Sequence, residues 1–120
     1  MARDALTTLK RELMKQVPGS SFQVGWFLKE ELPPPLARAL LKSASFQPGA
    51  GARRVRGQRG QCHANAVLMA LKYGWRWYFG LALSEGCWRV HSWCVDARRR
   101  VVETTEPREL YWGAPMEKLA

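Results

Sequence analysis

Two strongly apolar stretches that lie close together in the sequence constrain the fold most. Residues 77–83 and 87–95 are rich in aromatic and β-branched side chains, and Ser84-Glu85-Gly86 separates them. Short apolar runs on either side of a glycine-containing turn are typical of a β-hairpin. The sequence therefore predicts two antiparallel strands, Trp77 to Leu83 and Cys87 to Val95.

Helical periodicity surrounds this hairpin in the sequence. Apolar residues recur at spacings of three and four between Leu6 and Leu13, which predicts an amphipathic helix from about Arg3 to Val17. A second helix is predicted over residues 33–44, because proline can begin a helix but cannot continue one. Residues 62–73 carry an apolar face that ends before Gly74, which predicts the central helix.

Shorter segments complete the predicted organisation. The expected elements are a short strand at 21–28, a mobile basic loop at 46–60, a third strand at 100–105, a turn of helix at 107–112 and a tail at 113–120. The predicted fold class is α+β, with the central helix packed on a small antiparallel sheet of at least three strands and two N-terminal helices covering the rest of the core. The 120 residues are expected to form a single domain, 1–120.

Composition narrows the cellular setting. The first residues carry charges throughout and lack the apolar core of a signal peptide, and no apolar run is long enough to span a bilayer, so we expect a cytoplasmic protein without membrane contact. Three cysteines cannot all be paired in disulfides. At least one thiol is therefore free for chemistry.

A cysteine, a histidine and a carboxylate follow one another on the predicted elements. Cys62 lies in the first turn of the central helix, His91 on the second strand of the hairpin and Glu103 on the third strand. The helix N-terminus favours a thiolate, a histidine can act as its base, and a carboxylate can orient that histidine. The sequence predicts a nucleophilic cysteine site made of these three residues.

Strand parity gives a geometric condition for this site. Side chains alternate along a strand, so His91 and Trp93 share one face and Ser92 and Cys94 the other. A hairpin loop of three or five residues between the second and third strands would put Glu103 on the face of His91, whereas a two-residue loop would put it on the opposite face.

Other polar residues receive structural or supporting roles. Gln58 and Gln61 are candidate oxyanion donors, and Trp93 is a candidate pocket wall. Cys87 and Cys94 are interpreted as small core residues, His63 as a helix-surface residue and Asn65 as structural. Zinc is not expected, because Cys94 points away from Cys87 and His91 in a regular strand and no CxxC pair exists, and no cofactor is expected.

The helix-borne Cys62, the HSW triplet that begins at His91 and the VVETT segment that holds Glu103 resemble the papain-like cysteine-nucleophile superfamily, especially its transglutaminase-like branch. The resemblance covers about residues 57–105. It implies that Cys62 is the nucleophile, His91 the general base and then acid, and Glu103 the residue that orients the imidazole. The chain departs from the family in having glutamate instead of aspartate or asparagine, and a short gap between the histidine and the acid.

The resemblance implies a hydrolase or acyltransferase that acts on an amide or related acyl bond of an acyl or peptide substrate. A substitution of Glu103 by glutamine is then expected to lower the reactivity of Cys62 and hardly change stability. Hydrolysis and acyl transfer both remain open.

A net charge of +9 supports an alternative function. Basic residues cluster in two stretches that adjoin the candidate site; these are Arg53, Arg54, Arg56 and Arg59, and then Arg98, Arg99 and Arg100. Such clusters bind anions, so the chain could instead be a non-enzymatic basic module for nucleic acid or an acidic protein. The two hypotheses are compatible if the arginines guide an acidic substrate to the cysteine.

Overall fold

The computed structural model describes residues 4–24 and 26–120 and has an α+β architecture. The helices are α1 (Ala5–Gln16), α2 (Trp26–Glu31), α3 (Pro34–Ser43) and α4 (Cys62–Tyr73). The strands are β1 (Ser21–Phe22), β2 (Ser45–Pro48), β3 (Arg53–Arg54), β4 (Arg76–Ser84), β5 (Cys87–Val95), β6 (Val101–Glu103) and β7 (Leu110–Pro115), and a 3-10 turn covers Met116–Lys118.

The strands form one curled mixed sheet. Within the described part of the chain, six strands follow the order β2-β7-β4-β5-β6-β3, and β1 adds to β5. The pairs β1–β5 and β3–β6 are parallel, and the other neighbours are antiparallel. The predicted hairpin, β4 and β5, lies at the centre of this sheet, as its apolar composition requires.

The helices bury their leucines against the sheet. Asp4 caps α1 by accepting the N–H of Leu6, and Leu9 and Leu13 of this helix join the main apolar core with Leu40 of α3 and Trp88 of β5. Burial of such side chains contributes roughly 1.5–3 kcal/mol each. None of the helices in 4–24 and 26–120 is long and apolar enough to cross a membrane.

One tight turn and one short loop determine the register of β5 with β4 and β6. Glu85 and Gly86 both have positive φ angles, of 52° and 74°, which is the geometry of the two-residue turns that match the twist of a hairpin. A five-residue loop, 96–100, joins β5 to β6, and the Asp96 carboxylate accepts the N–H groups of Arg98 and Arg100 within it. The odd length of this loop is the condition that places Glu103 on the face of His91.

Several predicted elements differ from the structure. Residues 21–28 begin as the two-residue β1 and continue as α2; the predicted strand included Gly25, which lies outside the described residues, as does the predicted helix start at Arg3. The turn of helix predicted at 107–112 is wrong, because residues 110–115 form β7 between β2 and β4. The segment 113–120, predicted to be a tail, completes β7, and Leu119 is buried beyond it.

The basic segment at 46–60, predicted to be a mobile loop, is tied to the sheet. It contains β3 and most of β2, which starts at Ser45, and backbone N–H groups of Val55 and Gly57 donate to the carbonyls of Glu103 and Thr104. The glycines and arginines of this segment show no apolar periodicity, so no strand was predicted there. Pairing through backbone N–H and C=O groups does not require such a periodicity. The segment therefore leads into α4 along a fixed path beside β6.

Candidate active site

The central strand β5 has an open stretch on one edge. Strand β4 pairs along the whole of its other edge, while β1 pairs with Cys87 and Trp88 and β6 pairs with Cys94 and Val95. The start of α4 faces the stretch between these two pairings, and the backbone N–H of Ser92 donates to Cys62. The nucleophile candidate therefore lies at the edge of the sheet, within reach of side chains on both faces.

The thiol of Cys62 is half-buried in the first turn of α4. Burial by itself would raise its pKa, but hydrogen bonds with His63 and His91, the charge of His91 and the Ser92 N–H together lower the pKa to about 5. The start of α4 adds unpaired N–H groups that favour negative charge. At neutral pH this environment favours the thiolate.

His91 connects the thiol to Glu103. Its Nε2 lies 2.8 Å from Glu103 Oε1, and both side chains are almost fully buried. Because Nε2 faces the carboxylate, Nδ1 is the ring nitrogen available to Cys62. Burial lowers the pKa of His91, but the hydrogen bonds with Cys62 and Glu103 outweigh it, so the pKa is raised. The structure thus brings together the cysteine, histidine and glutamate that the sequence singled out.

Glu103 is held by a full set of donors. Tyr111 Oη donates to Oε1 at 2.7 Å, and Oε2 accepts the backbone N–H of Thr105 at 2.9 Å and its hydroxyl at 3.0 Å. Burial opposes ionisation, but the His91 hydrogen bond and charge, with Tyr111 and Thr105, lower the pKa of Glu103 to about 2. Sequence analysis missed Tyr111 because it lies on β7, which was not predicted as a strand.

A second imidazole, that of His63, also contacts the thiol. His63 is exposed on α4, as predicted, but its Nδ1 lies 2.5 Å from Ser92 Oγ and its ring forms a hydrogen bond with Cys62, which raises the pKa of His63. His91 and Ser92 point to opposite faces of β5. The thiol at the strand edge is therefore approached by His91 from one face and by His63 from the other.

Asn65 fixes the segment that leads into α4. Its side-chain amide accepts the N–H of Gln58 at 3.0 Å and donates to the Gln58 carbonyl at 2.8 Å. Gly57 lies so close that an added Cβ would be 2.4 Å from Asn65 Cγ. The interpretation of Asn65 as structural agrees with these contacts, but its pairing with Gln58 was not predicted from the sequence. The side chains of Gln58 and Gln61 are exposed. Neither is among the described residues that line the cleft over Cys62 and His91.

Trp93, predicted to be a pocket wall, is not among the described residues that line the cleft beside His91. It is fully buried behind His91, with the two rings stacked at a centroid distance of 6.0 Å, and its Nε1 donates to Gln47 Oε1 at 3.2 Å. An added Cβ at Gly113 would be 2.6 Å from the Trp93 ring, so this glycine makes room for the indole. Trp93 supports the position of the imidazole from inside the sheet.

A cleft of about 660 Å³ opens over Cys62 and His91. Most of the charged residues in its lining are basic, namely Arg54, Arg56, Arg59, Arg89 and Arg108. Three of these belong to the first basic stretch predicted from the sequence. The other predicted arginines, Arg53 and Arg98 to Arg100, are not among the described lining residues; Arg53 lies over the Trp75 ring and Arg100 pairs with Asp96. Arg89 and Arg108 were missed because each stands outside a basic run.

The remaining cysteines lie outside this cleft. Cys94 is buried under α4 and donates to the Ala66 carbonyl, and burial raises its pKa to about 11. Cys87 is half-buried near the hairpin turn. Across the described residues, no group of three or more His, Cys, Asp or Glu side chains is arranged to hold a metal ion.

Comparisons with known proteins give the chain no relatives. No family model, no curated protein and no solved structure matches it. The function must therefore be argued from the site itself. The site contains a thiolate, an imidazole that can carry a proton, and a buried carboxylate beside the imidazole. These are the groups required for nucleophilic attack on an acyl carbon.

Proposed function

We propose that the chain is a cysteine-nucleophile hydrolase or acyltransferase that works through Cys62, His91 and Glu103. One observation carries the proposal. His91 Nε2 lies 2.8 Å from Oε1 of the buried Glu103, and the interaction of the imidazole with Cys62 lowers the pKa of the thiol and raises that of His91. Burying an ion pair costs desolvation free energy, and such pairs with shifted pKa values cluster at functional sites. This pair adjoins the thiol that lines the cleft.

In the proposed reaction, the Cys62 thiolate attacks the acyl carbon and the carbonyl π bond becomes an oxyanion. His91 then donates its Nδ1 proton to the leaving amine or alcohol as the bond to the acyl carbon breaks, which leaves a thioester on Cys62. Water or an acceptor amine attacks the thioester, gives its proton to His91, and releases the product and the thiolate. Glu103 stays ionised throughout and stabilises the imidazolium.

The oxyanion would find donors at the start of α4. The N–H groups of Cys62, His63 and Ala64 precede the first intrahelical hydrogen bond, which Asn65 donates to Gln61. Such preorganised donors are worth roughly 2.7–4 kcal/mol each in related sites. The side-chain amides of Gln58 and Gln61 remain candidates for a second donor if a bound substrate draws either side chain inward.

A papain-like or transglutaminase-like core is part of this proposal. Its support is the arrangement of a cysteine at the start of a helix that packs on antiparallel strands, with the histidine and the acid on neighbouring strands. The sheet in this chain is mixed and short at its edges. The family relationship therefore rests on the site and its setting.

His63 is the rival candidate for the base. It also bonds Cys62, but its other nitrogen meets the neutral hydroxyl of Ser92 instead of a carboxylate. A His91 imidazolium is stabilised by the charge of Glu103 at hydrogen-bond distance. At His63, the charge of Glu31 makes only a small contribution. We therefore assign proton transfer to His91 and support of the thiolate to His63.

Acyl transfer to p-nitrophenyl acetate tests the proposal. We expect a burst of p-nitrophenolate and an acetyl group on the peptide that contains Cys62, removable by hydroxylamine as a thioester is. Cys62→Ser should abolish the acetyl adduct, and Cys87→Ser, which changes a thiol outside the cleft, should leave the burst unchanged. Acetylation that persists in Cys62→Ser, or its absence from the wild-type protein, would contradict the proposal.

The two histidines are separated by the same assay. His91→Gln should slow both the burst and the later turnover, whereas His63→Gln should slow the burst through a weaker thiolate and retain turnover. The reverse pattern would make His63 the base. Both variants leave the other imidazole in place as an internal comparison.

The alternative of a non-enzymatic basic module is favoured by the five arginines of the cleft. Binding to generic DNA or RNA would then weaken steeply with salt, because neutralised phosphates release counterions. Such a module gives no role to the buried His91–Glu103 pair. We therefore place this function second.

A further inference from the structure

The positive charge of the cleft has few acidic partners. Among the described residues, the lining contains five arginines and a single acidic residue, Glu106, whose carboxylate lies 3.7 Å from the Arg54 guanidinium. Glu103, beneath the cleft, already accepts hydrogen bonds from His91, Tyr111 and Thr105. Among the described ion pairs none involves Arg56, Arg59 or Arg89. Most of this charge is therefore free to meet a ligand.

Three separate chain segments bring this charge to the nucleophile. The 54–59 segment runs directly into α4 and Cys62, and its path is fixed by backbone hydrogen bonds to the β6 region. Arg89 precedes His91 by two residues on the same face of β5. Arg108 is only 19% exposed, its Nε lies 3.9 Å from Glu103 Oε1, and this buried Nε has no hydrogen-bond partner. Three parts of the chain therefore contribute arginines to the cleft that Cys62 also lines.

The rest of the lining disfavours nucleic acid. Its other members are small or aliphatic, such as Ala82, Val90 and Thr104, and the described lining includes no tryptophan, tyrosine or phenylalanine. Binding of single-stranded nucleic acid normally uses aromatic side chains on which bases stack. A volume of about 660 Å³ is that of a pocket for a small molecule or a short peptide.

We propose that the arginines of the cleft bind an anionic group of the substrate, which is distinct from the oxyanion of the reaction intermediate. The acyl compounds that react with Cys62 would then carry a carboxylate or phosphate near the reacting carbonyl. The inference rests on the proposed function and adds its substrate class. Guanidinium groups bind planar carboxylates and phosphates through paired N–H donors. An acidic peptide is one source of such a group, and a phosphorylated acyl compound is the other.

Two alkylating reagents that differ only in charge test this proposal at Cys62. Iodoacetate is anionic and iodoacetamide is neutral, so the ratio of their rates cancels the reactivity of the thiolate. At low salt we expect this ratio to exceed that of a small neutral cysteine peptide by about fivefold or more, and to fall as salt is added. Arg89→Gln and Arg56→Gln should lower the ratio, while Arg38→Gln, an exposed arginine of α3, should not.

A ratio equal to that of the peptide, with iodoacetamide still reacting quickly, would overturn the anion-binding proposal and leave the proposed function standing. Failure of Cys62 to react faster than the peptide with either reagent would count against the proposed function instead. A binding measurement on Cys62→Ser decides the anion-binding proposal in that case too, because it needs no reactive thiol.

Calorimetry with Cys62→Ser compares N-acetyl-Glu-Glu-amide, N-acetyl-Gln-Gln-amide, inorganic phosphate and an oligothymidylate. Binding of the acidic peptide that weakens in Arg89→Gln identifies a carboxylate, and binding of phosphate alone identifies a phosphate group. Equal binding of the acidic and neutral peptides, binding of the oligonucleotide only, or no binding at all would overturn the proposal.

Discussion

Helix α4 contains Cys62 in its first turn and packs against Cys94, and the pKa values of these two thiols shift in opposite directions. At its start, Cys62 faces N–H groups and two imidazoles, and its pKa falls to about 5. One turn further on, Cys94 is buried against the helix, donates to the Ala66 carbonyl, and has its pKa raised to about 11. Cys62 is half-buried and Cys94 is fully buried, so both thiols lose hydration on folding.

The difference comes from what surrounds each sulfur. Burial raises the pKa of both thiols, and only Cys62 has donors and positive charge to reverse that effect. The open edge of β5 supplies them, because it lets the thiol meet the Ser92 N–H and side chains from both faces. A helix start alone would give only a modest part of this shift.

The largest expected effect is the contrast between the two thiols. At pH 6, Cys62 should react with iodoacetamide on the order of 100-fold faster than Cys94, after allowance for the lower intrinsic nucleophilicity of a less basic thiolate. Mass mapping of the alkylated peptides gives both rates from one sample. Equal rates in the folded protein would remove the contrast.

The second largest effect is expected for His91→Gln, which should reduce the difference in alkylation rate between Cys62 and Cys94. Loss of the imidazolium raises the pKa of Cys62 by roughly 1–3 units, which slows alkylation at pH 5 by roughly 2- to 20-fold. The pH dependence of the alkylation rate measures the shift. His63→Gln provides the comparison on the opposite face of β5, and an unchanged pH dependence in His91→Gln would show that His63 alone holds the thiolate.

Glu103→Gln should have a smaller effect on Cys62, because it acts through His91. The pKa of His91 falls without the carboxylate, so alkylation of Cys62 at pH 5 should slow by a few-fold. The sequence suggested that stability would hardly change, but the buried position of Glu103 changes that expectation. An amide has only one acceptor oxygen, so it cannot accept from the Thr105 donors and from the Tyr111 hydroxyl at the same time. We therefore expect a loss of about 1–3 kcal/mol in unfolding free energy.

The pH dependence of stability in acid tests the ionisation of Glu103 independently of Cys62. Its pKa is lowered from 4.5 to about 2 in the folded protein, so the stability from its charge is present above pH 4.5 and is lost as the pH falls from 4.5 towards 2. Urea unfolding over this range should show a smaller loss in Glu103→Gln. Glu30→Gln, an exposed change on α2, is the control and should keep the wild-type acid dependence.

Tyr111→Phe should have the smallest effect on the thiol. It removes one of the donors to Glu103 and leaves those from His91 and Thr105. We expect a loss of about 1 kcal/mol in unfolding free energy and less than about a twofold change in the alkylation rate of Cys62. The exposed Tyr73→Phe is the matched control for urea unfolding. A larger effect on the thiol would mean that Tyr111 positions the whole His91–Glu103 pair.

Local sequence patterns were enough to predict the central elements of the fold. The hairpin of β4 and β5 and the helices α1, α3 and α4 follow from periodicity and from turn residues such as Gly74 and Gly86. Strand β7 was missed because Gly113 and Pro115 interrupt its apolar run, and its pairing with β2 and β4 is non-local. Strand formation at such positions depends on contacts with neighbouring strands, and the sequence alone does not show which strands will be neighbours.

The candidate site could be predicted in part for the same reason. Cys62, His91 and Glu103 stand out because residue type, helix start and strand parity all act locally. The contacts of His63 with Ser92, and of Tyr111 with Glu103, depend on the open edge of β5 and on β7. Arg89 and Arg108 reach the cleft as single residues, whereas Arg98 to Arg100 formed the more visible run and do not line it.

The ionisation of Cys62 is the central claim, and ultraviolet absorbance of the thiolate near 240 nm measures it directly. Titration of the folded protein, with the spectrum of Cys62→Ser subtracted at each pH, isolates this one thiol. Our account predicts a midpoint near pH 5, with the thiolate fully formed by pH 7. A midpoint at or above the usual value for cysteine, about 8.5, would contradict an activated nucleophile at this site.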